Sequence, residues 1–254
     1  MPGSVTDARV LLRLALGDRE VPEIPADCVI THSRAVLHAA RDALPHEVLD
    51  IGLGRPLPVF LFRPEGEAPF GLVSGAPGAP IAAAILEELI ALGFTRFWCV
   101  GTAGHPTRQV PGAFGVGDLV LVDRALVREG TTPHYAPGAT EAWPDEGLRD
   151  RLAAALEAGE RPYAAGTVAT TDALYRETPA FLEGVLAEGA IALDMELSAL
   201  FSVARFRGVR AAALLVVSDV VPARGPWAPG FATPALREAE RRLYDVLRAA
   251  LEAP

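Results

Sequence analysis

Two acidic stretches and two glycine-rich segments are where this sequence could do chemistry. Ser218-Asp219 follows the unbroken apolar run 211–217 (AAALLVV), so a carboxylate stands at the end of what reads as a strand covered on both faces. That is a suitable place for a catalytic acid, and equally for a turn or helix cap. Asp194-Met195-Glu196 opens an amphipathic stretch, 194–206, that Gly208 ends. Two carboxylates at a helix N-terminus interact favourably with the dipole, which makes a capping pair one reading. In the other, Glu196 holds a diol through two charge-assisted hydrogen bonds. Gly75-Ala76-Pro77-Gly78 runs into a helical pattern, and backbone N–H groups there could meet an anion; taken alone it reads as a tight strand-to-helix turn. Gly101-Thr102-Ala103-Gly104-His105 follows the short apolar run 97–100. Its small residues would let a ligand approach the backbone and Thr102 offers a hydroxyl, with a packing turn as the alternative.

The elements that must position these residues alternate in type. Residues 59–62, 70–74, 97–100, 119–122, 167–170 and 211–217 read as strands. Residues 81–92 place apolar side chains at 81, 85, 89 and 92, a helical period with Gly93 as its stop. Residues 148–157, 179–188 and 194–206 read as further helices. Thr233 is a candidate N-cap, with Pro234 at the first helical position, for a last helix reaching residue 251. On that helix Glu238 and Arg242 sit four apart and can pair. Alternation of this kind predicts an α/β fold with a central, mostly buried sheet, in which ligands bind beyond the carboxyl ends of the strands. The Pro/Gly-rich segment 221–230 reads as a candidate mobile flap beside that edge. There is no internal repeat and no low-complexity linker, which predicts one domain over residues 1–254.

Composition narrows the function. The 254 residues are 50% apolar and 22% charged, enough to bury a substantial core and too apolar for a disordered chain. The formal net charge of −9 supplies no basic stripe for nucleic acid. The two cysteines, Cys28 and Cys99, make no disulfide framework. Neither they nor His32, His38, His46, His105 and His134 show metal-ligand spacing. No apolar run approaches the ~18 residues a bilayer demands, and Arg13 interrupts the apolar stretch 10–16 where a leader would lie. The expectation is a soluble, cytoplasmic protein without a membrane or nucleic-acid partner.

Together the segments SGAPGAPIAAAILEELIALG, VGTAG, GDLVLVDRALVREGTTPHYAP, TVATTDALYRE and GAIALDMELSALFSVARFRGVRAAALLVVSD resemble the nucleoside phosphorylase family that includes bacterial purine nucleoside phosphorylase and uridine phosphorylase. They run in the family's order from about Arg55 to Val220. The resemblance implies a single α/β domain whose mixed sheet closes toward a barrel and is flanked by helices. It implies the reversible attack of phosphate on C1′ of a nucleoside, giving free base and ribose 1-phosphate, with inorganic phosphate as co-substrate and no cofactor or metal. Carried over, Glu196 would bind the ribose 2′- and 3′-hydroxyls with Met195 packing on the sugar. Thr102 and the Gly101 backbone would face phosphate and ribose. Asp219 would protonate or hydrogen-bond purine N7, with Ser218 beside it. Tyr175 would lie near the base or sugar, where an aromatic can stack, a core tyrosine being the alternative. Arg55 precedes Gly75 by the family's spacing for an arginine that reaches a neighbouring subunit's phosphate, which implies at least a dimer and suits a hexamer. His134 fits the family's structural His-Tyr pair.

The departures concern phosphate. Cys99 stands where the family has an arginine. The N-terminal phosphate loop is replaced by Ile30-Thr31-His32-Ser33-Arg34, with Arg34 as the substitute; Arg108 and Arg124 are other candidates. Residues 176–180 lack the uridine enzymes' Gln and Arg for uracil, so Asp219 tips the reading toward a purine. Phosphorolysis leads; hydrolysis by water and a non-catalytic nucleoside-binding protein remain as alternatives.

Overall fold

Apolar runs without polar alternation form the centre of a hydrogen-bonded sheet. In the computed structural model, residues 5–52, 56–108 and 114–252 are described. In chain order the elements are α1 (Ala8–Leu16), β1 (Asp27–Thr31), α2 (Arg34–Ala43), β2 (His46–Asp50), β3 (Pro58–Phe62), β4 (Phe70–Ser74), α3 (Ala79–Leu92), β5 (Arg96–Thr107) and β6 (Leu119–Arg128). There follow α4 (Thr132–Tyr135), β7 (Glu141–Ala142), α5 (Glu146–Ala158), β8 (Tyr163–Thr171), a 3₁₀ turn (Leu174–Arg176), α6 (Pro179–Ala187), β9 (Ala190–Asp194), α7 (Leu197–Arg207), β10 (Arg210–Pro222), β11 (Ala228–Pro229) and α8 (Pro234–Glu252).

Among the described residues the strands form one mixed sheet in the order β11-β10-β6-β8-β9-β5-β1-β4-β3-β2, with β7 on β6. A further pairing of β10 with β5 closes β5, β10, β6, β8 and β9 into a ring, the closure expected of the family. Helices cover both faces. α1, α3 and α7 share one apolar cluster with Cys99, Ala103 and the odd-numbered residues 211–217 of β10. α2, α5 and α8 share another with Val100 and the even residues 212–216. β10 is thus buried on both sides, which is why its sequence is a continuous apolar run.

Local signals place several ends as expected. Gly93, at φ 127°, terminates α3, and Gly208, at φ 71°, terminates α7. Thr233 Oγ1 accepts from Leu236 N at 3.2 Å at the start of α8, and Arg242 meets Glu238 at 3.4 Å.

Four expectations are corrected. Gly101–His105 is not a turn: β5 continues through it to Thr107, because small residues let neighbouring strands and the His32 ring pack closely. Ser218-Asp219 lies inside β10 rather than after it. Asp194 ends a strand, β9, and α7 begins only at Leu197. Segment 221–230 is no free flap, since Val221 and Pro222 complete β10 and β11 folds back, pairing Pro229 with Asp219 and Ala228 with Val220.

The amino ends of β1 and β5 are pinned by a buried acid, far from the site. Asp27, 2% exposed, accepts from Arg96 Nε at 2.8 Å and Trp98 Nε1 at 2.8 Å and also pairs with Arg96 Nη2. Asp27→Ala leaves the buried indole N–H without a partner, and Arg96, nearer solvent, rehydrates. We expect about 2–3 kcal/mol of destabilisation in urea unfolding; a loss under about 0.5 kcal/mol would remove the pin.

Candidate active site

Asp219 owes its position to one extra residue. β10 runs parallel to β5 with Val217 opposite Ala103, and then with Asp219, not Ser218, opposite Gly104. In a regular strand Asp219 would share the face of Val217, which is core. The bulge at Ser218 reverses that alternation and turns Asp219 to the face of Gly104, where a Cβ on Gly104 would lie 3.5 Å from Asp219 Oδ2. Ser218, 2% exposed, donates its hydroxyl to Asp219 Oδ1 at 2.7 Å. Trp227 Nε1, carried by the hairpin that includes β11, donates to Oδ2 at 2.7 Å. The hairpin closes through Gly230 N to Ser218 O at 2.9 Å. A side chain at 230 would strike that carbonyl at 2.6 Å.

Asp219 lines a cleft of about 360 Å³, together with Gly104, Leu193, Asp194, Met195, Leu174, Tyr175, Glu177, Val221, Trp227 and Phe231. Tyr175 is 92% exposed on the 3₁₀ turn, which excludes the core-tyrosine reading and leaves an aromatic wall on which a planar base can stack. Burial and the charge of Asp219 push Glu177 up to about 7. Sequence reasoning misses Glu177, Trp227 and Phe231. A lone Glu in a polar segment has no signature beyond standing two places from Tyr175, and the two aromatics lie in or beside a segment with loop composition.

The second acidic stretch divides its labour. Asp194 is the cap: Oδ2 accepts from Glu196 N at 2.8 Å and Leu197 N at 2.6 Å, while Oδ1 accepts from Thr170 Oγ1 at 2.6 Å. Glu196 caps nothing. Its Oε1 accepts from Gly78 N at 2.7 Å, tying the start of α7 to the glycine turn before α3. Both acids are buried. Burial and the nearby Glu196 push Asp194 up to about 7, and burial raises Glu196 against the opposing Gly78 hydrogen bond.

The phosphate candidates are scattered. The glycine turn does not present its terminal N–H groups to an anion, since Gly75 N is bonded to Thr31 O at 2.8 Å and Gly78 N to Glu196. A side chain at Gly75 would collide with the His32 ring, and one at Gly101 would lie 3.1 Å from His32 Cβ. His32 therefore fills the junction of β1, β4 and β5. Among the described residues its buried Nε2 has no partner, and burial lowers its pKa, so the imidazole is neutral at pH 7. Cys99 is buried, and its thiol is pushed up to about 12 by burial and by Asp194 and Glu196. Arg34 is exposed at the first turn of α2. Arg124 is committed to Glu141 at 2.6 Å and Thr167 at 2.9 Å, and Arg108 to Glu183 at 3.4 Å. Arg55 lies outside the described residues. Thr102 shares the face of Gly104 in β5. The cleft thus brings together Asp219, Met195 and Tyr175. Glu196, Thr102, Gly101, Ser218 and Arg34 do not line it. His105 is bonded through Nδ1 to Ile191 O at 2.8 Å and edges Phe114.

A raised Asp194 has a stability consequence. The folded protein keeps a proton that the unfolded chain releases above about pH 4, so this group's contribution to stability falls as pH rises from about 4 toward 7. Asp194→Asn lacks the titration. The Tm advantage of wild type over Asp194→Asn should narrow between pH 5 and pH 8; a gap independent of pH would contradict the assignment.

A family model described as the phosphorylase superfamily matches residues 38–252. The chain is 31% identical over 140 residues to a guanosine phosphorylase of Halorubrum lacusprofundi, covering 55% of this chain and 56% of that one. It is 32% identical over 162 residues to a uridine phosphorylase of Treponema pallidum, covering 59% and 61%. These matches span less than two thirds of either relative. Among solved structures it is similar to purine nucleoside phosphorylase of Toxoplasma gondii in complex with immucillin-H (TM-score 0.78, 18% identity, 90% of this chain and 91% of that one). It is likewise similar to uridine phosphorylase of Vibrio fischeri (TM-score 0.74, 23% identity, 90% and 92%), and both likenesses are of fold. With its ring-closed mixed sheet and a family match over most of its length, the chain belongs to the phosphorylase superfamily.

Proposed function

We propose that the protein is a nucleoside phosphorylase acting on purine nucleosides. Phosphate forms a C–O bond at C1′ as the C1′–N bond breaks, and the bonding pair passes into the base. The transition state is oxocarbenium-like, as in glycoside hydrolysis, and relief of charge on the departing base is the term a protein group can supply. The observation that carries the reading is the bulge that sets Asp219 into an apolar cleft walled by Tyr175 and Trp227. There Asp219 serves N7 of a stacked purine. Met195 lies on the sugar side, and Glu196, adjacent to it and already a hydrogen-bond acceptor, takes the ribose hydroxyls. In this reading Thr102, Gly101 and Arg34 serve the phosphate. Arg55 of a second copy completes that site, which makes the working form an oligomer.

A hydrolytic reading is favoured by one observation. Cys99 is neutral where the resemblance calls for an arginine, and Arg108 and Arg124 are already ion-paired. Water would then replace phosphate at C1′. Base release from inosine, guanosine, adenosine and uridine, with and without inorganic phosphate, decides between them. Phosphorolysis predicts release from the purine nucleosides only when phosphate is present. Phosphate-independent release supports hydrolysis, and binding without release leaves a nucleoside-binding protein.

Asp219→Asn keeps one acceptor, its amide oxygen, for Trp227 Nε1, and its NH2 can donate to Ser218 Oγ, whose hydroxyl turns to Ala103 O; the charge and the second acceptor are lost. It should lower kcat/KM on purine nucleosides by about 10²–10⁴-fold with Tm within a few degrees of wild type. Unfolding, or unchanged kinetics, would contradict the role.

A further inference from the structure

A carboxylate that must meet one atom of a departing base has to keep its plane, and with a single donor it can still turn about its Cβ–Cγ bond. Asp219 has two donors of unequal constancy. The Ser218 hydroxyl carries one proton and has two acceptors within reach, Asp219 Oδ1 at 2.7 Å and Ala103 O at 3.2 Å. Rotation about one bond moves that proton from the carboxylate to the strand carbonyl. Trp227 has one N–H and no acceptor atom. Among the described residues that N–H has one acceptor, Asp219 Oδ2, at 2.7 Å. The indole is therefore the donor that cannot be diverted.

The chain keeps it there from several sides. β11 runs antiparallel to β10 with Ala228 opposite Val220 and Pro229 opposite Asp219, which brings the residue before β11 back to the acid. Pro226 and Pro229 restrict the backbone on either side of Trp227. The Phe231 ring meets the indole at a steep angle, centroids 6.0 Å apart. Ala223 N bonds Thr107 O at 2.7 Å and Gly230 N bonds Ser218 O at 2.9 Å, so both ends of the segment are tied to β5 and β10. Between those ties residues 224–229 are exposed, and Trp227 itself is 53% exposed. Water could satisfy an indole N–H in such a segment; here it is directed at a buried acid instead. Gly104 closes a further side, since a Cβ there would lie 3.5 and 3.7 Å from the two carboxylate oxygens.

We propose that Trp227 is a positioning residue for the reaction: its N–H fixes the plane of the Asp219 carboxylate between Ser218 and Gly104, so that the acid meets N7 of the departing purine in one orientation. The inference rests on the nucleoside reading of the cleft and deepens it. Trp227 acts through Asp219 and not on the reacting atoms. Its N–H therefore matters in the step that breaks the C1′–N bond, while the aromatic walls that hold the base, Tyr175 and Phe231 among them, do not depend on it.

Trp227→Phe keeps an aromatic ring at the site and removes the N–H. In the purified full chain, kcat on guanosine and inosine should fall by about 5- to 30-fold, with KM within about threefold of wild type. In an Asp219→Ala background the same substitution should lower kcat by less than about twofold, because the indole acts only through that carboxylate. A proton–nitrogen correlation spectrum of the indole groups reads the bond without turnover. Trp227→Phe assigns the Trp227 signal among the three tryptophans, and Asp219→Ala should move that signal while leaving those of Trp98 and Trp143 in place. An unchanged kcat, a rise in KM alone, or a fall as large in Asp219→Ala as in wild type overturns the positioning role and leaves the reaction standing. If wild type releases no base from any nucleoside, the nucleoside reading falls and the catalytic role of Trp227 falls with it; a Trp227 signal that still moves in Asp219→Ala then makes the clamp a property of the fold alone.

Discussion

One residue more in β10 than in the facing stretch of β5 decides where the Asp219 carboxylate points. Without it, Asp219 would continue the face of Ala211, Ala213, Leu215 and Val217, all packed in the cluster that α3 and α7 share. A charge there would be desolvated without a partner. With it, the carboxylate turns to the Gly104 face and finds two neutral donors, Ser218 and Trp227. The hairpin that includes β11 owes its own closure to the same residue, because Gly230 N–H bonds the Ser218 carbonyl. The bulge therefore fixes the acid, the indole that holds it and one wall of the cleft.

A second constraint works from the opposite wall. Asp194 joins the end of β9 to the start of α7 and to Thr170 on β8, and Glu196 joins α7 to the glycine turn before α3. Elements distant in the chain are thus held by two buried acids whose burial favours a retained proton. In the proposed reaction this has a use. A carboxylate anchored through one oxygen to a backbone N–H keeps the other for a sugar hydroxyl, with little side-chain freedom to lose on binding.

Where the sequence is legible, one physical signal is strong and local. The helical period of α3 with Gly93 after it, Thr233-Pro234 at the start of α8, and the doubly covered run of β10 are all present in the structure. Legibility fails where small residues carry two meanings. Gly101-Thr102-Ala103-Gly104 has turn composition, yet it continues β5 because β10 and His32 lie too close for larger side chains. Asp194 reads as a helix residue because a strand-ending carboxylate that caps the next helix looks the same as one inside its first turn. β1, α1 and β2 leave no mark strong enough to read. Asp219, Met195 and Tyr175 can be placed from motif order. Glu177 cannot, since the cavity it lines exists only in the folded chain.

Cys99 and His32 are both neutral at pH 7, while the cleft is lined by the acids Asp219, Asp194 and Glu177. The central claim is the convergence of Asp219 and Glu196 on one nucleoside. The most direct measurement is a crystal structure with a non-cleavable purine nucleoside analogue and phosphate. The prediction is the base against Tyr175, N7 within hydrogen-bond distance of Asp219, and the ribose 2′- and 3′-hydroxyls on Glu196. A nucleoside bound elsewhere, or one in this cleft that touches neither carboxylate, would contradict it.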